Sequence, residues 1–214
     1  MKYNPILKFA GVAAIPAYTA FTFISHMFKT EINPIYNWLS DFGSPILNPS
    51  GAIFYNAGCI LTSALLAVFF AGITQWYKDG AAPRKLSVAY ICAQVSGFFA
   101  AACLIFAALI PIGTSELHAV FSMWNMIGFN CFMSFMAVSI FMNPNIKNTL
   151  GIFGLAASGF NIITTNAFTD LFIAQWIYIP LFMLFVVLIT VNYSKTSGSV
   201  LRQAEKAARK VIQT

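Results

Sequence analysis

The chain has 214 residues, 59% of them hydrophobic and only 8% charged, with 12 Lys and Arg against 6 Asp and Glu. A soluble domain carries about 25% charged residues, so this chain lacks the charge to coat a globular surface. It reads as a membrane protein, which excludes a soluble enzyme, a nucleic-acid-binding module and a disordered tail; the +6 net charge reflects scarce acids and implies no nucleic-acid partner.

Only helices or closed barrels satisfy every backbone group in hydrocarbon, and a spanning helix needs about 20 mainly apolar residues. Six stretches qualify, at 5–27, 50–77, 86–112, 117–142, 149–168 and 171–193. Each is a long apolar run and not a ten-residue alternating segment, so the fold class is an all-α polytopic bundle with six transmembrane helices. The first run is too long for a cleaved signal peptide, continuing through Pro16, Tyr18 and Thr22 to His26. The fifth is diluted by Asn161, Thr164, Thr165 and Asn166.

Between the first two spans, residues 28–49 form the one long loop. Asn33 suits an N-cap with Pro34 behind it, apolar residues recur at Ile35, Leu39 and Phe42, and Gly43 supplies a stop, which predicts a short interfacial helix. Tyr36 and Trp38 suit the headgroup boundary, whereas Asn37, Ser40 and Asp41 should face water or the bundle mouth. Asn48-Pro49 repeats the cap device before the second span. Thr114 or Ser115 should cap the fourth span and Asp170 the sixth. The four cysteines all fall inside spans and imply no disulfide framework.

After Tyr193 a Ser197-Gly198-Ser199 break precedes VLRQAEKAARKVIQT, so the chain divides into a bundle (1–193) and a basic amphipathic tail (194–214). The tail is either a solvated helix or one lying on anionic lipid.

Basic residues test the span count. With six spans and the N-terminus in the cytoplasm, Lys2, Lys8, Lys78, Arg84, Lys85, Lys147, Lys195, Arg202, Lys206, Arg209 and Lys210 lie inside, and Lys29 alone lies outside. Removing one span would destroy this asymmetry. Both termini are then cytoplasmic and the protein belongs in the cell membrane. Glu31, Asp41, Glu116 and Asp170 fall at the outer face, as do His26 and His118.

No span carries Lys or an acid near its centre, Lys8 lying at the cytoplasmic end of the first, so a retinal-type Schiff base and a proton relay are excluded. Polar stripes remain. His118, Ser122 and Asn125 stand on one face at i, i+4 and i+7, and Asn56, Cys59 and Ser63 at i, i+3 and i+7; Ser158, Asn161 and Thr165 climb the fifth span, and Tyr18, Thr22 and Ser25 or His26 the first. Each stripe is open to a packing reading, interhelical hydrogen bonds worth about 0.6 kcal/mol apiece. Facing one another, they make a polar pocket open to the outside, roofed by Ser40, Asp41 and Asn48.

Three functions fit. The first is an accessory protein binding a lipid headgroup or small amphiphile in that pocket. The second is a hydrolase in which His118 and Asp41, joined by His26, Glu116 or Asp170, hold a divalent cation or supply a base, with Ser40 or Ser122 as a possible nucleophile. The third is a structural subunit of a larger membrane complex. No cofactor is named by the pattern.

Two motifs carry a resemblance. LSDFGSPILNPSGAIFYNAG (39–58) and LIPIGTSELHAVFSMWNMIGF (109–129) resemble the signatures of the prokaryotic membrane family catalogued as domain-of-unknown-function family 998: a Leu-Ser-x-x-Gly element, an Asn-Pro before the second span, Phe-x-Asn-x-Gly within it, and a His opening the fourth. Ser40, Gly43, Asn48, Pro49, Asn56 and His118 match position by position. The family often has Phe-Pro with an acid in the third-to-fourth turn, where this chain has Ile110-Pro111 and a later Glu116. Eukaryotic DRAM-like proteins share a similar layout. The resemblance implies architecture and an outer polar site, and no reaction.

Overall fold

The computed structural model describes residues 5–77, 83–167 and 171–212, and is all-helical over them. The apolar runs become α1 (Pro5–Phe28), α2 (Ala52–Gly72, continued by a 3-10 turn Ile73–Trp76), α3 (Arg84–Leu109), α4 (Leu117–Phe141), α5 (Asn148–Ala167) and α6 (Ile173–Ile212). Five are long and apolar enough to cross a membrane; α5, the span its Asn and Thr residues diluted, is the exception. α1 and α6 continue through Pro16 and Pro180. α6 also continues through Ser197-Gly198-Ser199, where a break was expected. One Gly costs about 1 kcal/mol in a helix interior, too little to stop an established helix.

Sequential helices pack on one another and α6 returns to α1, closing the bundle. Its centre is aromatic: Phe69, Phe70, Phe132, Tyr178, Phe182 and Phe185 are fully buried, and Phe129 stacks on Phe182 with ring centroids 4.0 Å apart. The reverse faces stay apolar, with Phe23, Ile53, Val95 and Ile163 each 60% or more exposed. Such a surface suits lipid and not water. In lipid, burying more apolar area gains little, so close packing must hold the helices together. α3 and α4 meet at Gly128, where a Cβ would lie 2.8 Å from that of Ala100.

The first loop departs from expectation. In place of one helix from Asn33 to Gly43 there are turns over 34–36 and a separate 3-10 turn, Leu39–Gly43. The cause is local competition for the backbone. Asn33 Oδ1 accepts from Ile35 N–H, Asn37 Oδ1 accepts from Asn33 N–H, and Asp41 Oδ2 accepts from Trp38 N–H. Asn33 thus caps a turn that the next polar side chains then interrupt. Tyr36 is exposed, but Trp38 is half-buried and packs edge-on against Phe172. Trp176 Nε1–H donates to Asn37 O and Ser40 N–H donates to Gln175 Oε1, tying this loop to α6.

Candidate functional site

A cavity of about 900 Å³ opens beside the Leu39–Gly43 turn and the α3–α4 connection, between α4, α5 and the start of α6. Its rim is polar, with Ser40, Glu116, His118, Ser122 and Gln175. Met123, Ile127 and Ile162 form its side wall and are themselves 39–50% exposed on the lipid-facing surface, so the cavity also opens sideways. It descends to Asn130, twelve residues below His118 on α4, a drop of about 18 Å at 1.5 Å per residue. That is roughly half the hydrocarbon thickness.

His118 is built into this rim by a defect in α3. The carbonyl of Ala107 would ordinarily accept from the amide four residues on, but that residue is Pro111, which has no N–H. His118 supplies the donor: its Nδ1 lies 2.9 Å from Ala107 O and 2.8 Å from Ile110 O. Two carbonyl acceptors require a proton on Nδ1, so in the neutral ring Nε2 keeps its lone pair. Ser122 Oγ–H, one turn further along α4, donates to that nitrogen at 3.2 Å. Gly113, with φ +85°, turns the chain back into α4.

A second void of about 50 Å³ lies beneath, sharing Ser40, His118, Ser122 and Gln175 with the cavity and adding Asn56 and Asn125. Both asparagines are spent on packing. Asn125 Nδ2 donates to Ala100 O at 2.9 Å, stitching α4 to α3, and Asn56 Nδ2 donates to Gly43 O at 3.0 Å.

Asn48, Asp41 and His26 do not line this cavity. Asn48 is 1% exposed, with Nδ2 donating to Ser25 Oγ, Ser25 O and Phe42 O and Oδ1 accepting from Gly51 N–H. It fastens the loop between α1 and α2 and lies outside the cavity and the void beneath it. Asp41 is buried and held by Trp38 N–H and Asn37 Nδ2, turned into its own loop. Burial pushes its carboxyl above the ordinary range; those two bonds and the nearby His118 oppose the shift. No hydrogen bond joins Asp41 to His118. His26 lines a different groove, of about 780 Å³ between α1 and α6, and packs edge-on against Phe42. Asp170 lies outside the described residues, and the N-terminus of α4 has no side-chain cap, although Ser115 Oγ accepts from Leu117 N–H. Among the described residues no three His, Cys, Asp or Glu side chains are grouped to hold a metal ion.

Sequence reading passed over Gln175 and Asn130. Asn130, twelve residues beyond His118, sits about 120° round α4 from the His118 stripe and had no signal from it; its Oδ1 accepts from Tyr178 O–H at 3.0 Å. Gln175 had none, since its role depends on the fold bringing Ser40 to α6.

Among families of known sequence, the profile of one described as a protein of unknown function (DUF998) matches residues 12–192. No curated protein and no solved structure matches the chain.

Proposed function

The chain belongs to the DUF998 family of proteins of unknown function, and from that premise we propose that it is a six-span cell-membrane protein, both termini cytoplasmic, whose cavity faces outward and binds a lipid headgroup or small amphiphile. The sorting of eleven basic residues to one side supports the orientation. The observation that carries the binding reading is the cavity's division: a polar rim at the loop end and an apolar wall open to the lipid side. An amphiphile has the same division, and could enter sideways with its chain against Met123, Ile127 and Ile162 while its headgroup meets Ser40, Ser122 and Gln175. The volume falls in the usual range for small-molecule sites, about 300–1,000 Å³.

A fluorescent short-chain phosphatidylglycerol, titrated into the full chain in nanodiscs of unlabelled phosphatidylcholine, tests this. Thr165 is exposed and lines the cavity, so Thr165→Trp fills it and should weaken binding at least about tenfold, or 1.4 kcal/mol. Ile163→Trp, on the lipid face outside the cavity, should leave affinity unchanged. Equal affinity for both variants would refute the site.

A further inference from the structure

We propose that Ser122 and His118 form a nucleophile and base pair that cleaves a carboxylic ester of the amphiphile held in the cavity, an inference that rests on the binding reading above. Ser122 Oγ and His118 Nε2 are 3.2 Å apart, within reach for proton transfer. In a serine–histidine–aspartate triad the acid fixes the imidazole tautomer and stabilises the imidazolium that forms. Here the end of α3 does both. Ala107 O and Ile110 O hold the Nδ1 proton, and they sit at the negative end of the helix dipole, where a cation is favoured. This removes the need for Asp41, whose carboxylate is engaged elsewhere.

Capping α3 requires only the Nδ1 side of the ring. The Nε2 side faces a serine that lines a cavity large enough for a substrate. Gln175 lines it too, and because its Oε1 accepts from Ser40 N–H, its amide NH2 is the free donor for charge developing on a carbonyl oxygen.

The step balances with water as the co-reactant. Ser122 Oγ bonds to the ester carbonyl carbon as its proton passes to His118 Nε2. The carbon–alkoxy bond then breaks and the departing alcohol takes that proton, leaving an acyl-serine. Water next attacks the acyl carbon, giving a proton to Nε2; the bond to Oγ breaks, Ser122 regains the proton and a fatty acid leaves.

An alkyl fluorophosphonate reacts only with an activated serine, so intact mass of the full chain in nanodiscs after exposure to this probe reads the pair directly. Wild type should gain one adduct, mapped to Ser122, and Ser122→Ala should gain none. His118→Asn is the informative variant: its amide N–H can replace Nδ1–H toward Ala107 O and Ile110 O, keeping the cap and the fold, but it offers no base. Its labelling should fall at least about 100-fold. Ser96, whose hydroxyl donates to Cys92 O on α3, is the control, and Ser96→Ala should label as wild type does. Absence of an adduct in wild type, or full labelling of His118→Asn, would overturn the proposal. If the phosphatidylglycerol probe still binds in that case, esterolysis alone fails; if it does not bind, the binding reading fails with it.

Discussion

Asn48→Ala should destabilise the protein without touching the cavity wall. The side chain makes three donor contacts from one amide, to Ser25 Oγ (2.9 Å), Phe42 O (3.1 Å) and Ser25 O (3.3 Å), and it is 1% exposed. Alanine removes all three. Phe42 O keeps the bond from Ser25 Oγ at 3.2 Å, and Gly51 N–H keeps its bond to Asn48 O, but Ser25 O loses its donor. The NH2 has two hydrogens, so the three contacts amount to two net bonds at about 1 kcal/mol each, and the buried Ser25 O left without a donor adds about 1 more, a loss of about 3 kcal/mol. For a chain of this length each kcal/mol moves Tm by about 2–4 °C, so thermal unfolding in detergent should shift down by about 6–12 °C. Asn48→Asp is isosteric but presents only acceptors to two carbonyls, and must bury a charge; it should be less stable than Asn48→Ala. A Tm for Asn48→Ala within about 2 °C of wild type, or an Asn48→Asp variant as stable as Asn48→Ala, would refute the reasoning.

Two further outcomes are expected. Because burial raises the Asp41 carboxyl above its ordinary value of 3.8, its folded state favours the protonated form, so its stabilising contribution is complete at low pH and is lost as pH rises through the raised value. Thermal unfolding between about pH 4 and about pH 7 should therefore show wild type losing stability relative to Asp41→Asn as pH rises; the opposite slope would show that its hydrogen bonds outweigh burial. For orientation, a membrane-impermeant maleimide applied to intact cells should label Tyr36→Cys, which is 73% exposed, and miss Asn145→Cys in the α4–α5 connection. The reverse pattern would invert the topology.

The helices were legible because each apolar run is long and the bilayer leaves the backbone little alternative to helical hydrogen bonding. The His118 and Ser122 pairing was legible too, since i, i+4 neighbours on a helix meet whatever surrounds them. Partner choice across the bundle was not. Asn125, Asn56 and Asn48 share stripes or motifs with the rim residues, yet each turns to a backbone carbonyl, at Ala100, Gly43 and Phe42. A stripe says which face a side chain occupies but not which unpaired carbonyl stands opposite.

What the sequence determined by itself is therefore the membrane and the helices, set by the length of the apolar runs and by the cost of placing polar groups in hydrocarbon. The tertiary structure decided how the polar residues are used. Pro111 leaves an acceptor at the end of α3, the fold brings His118 to it, and that bond selects the tautomer that turns a bare Nε2 toward Ser122. Asp41, equally polar and close in space, is consumed by its own loop because Trp38 N–H and Asn37 reach it first.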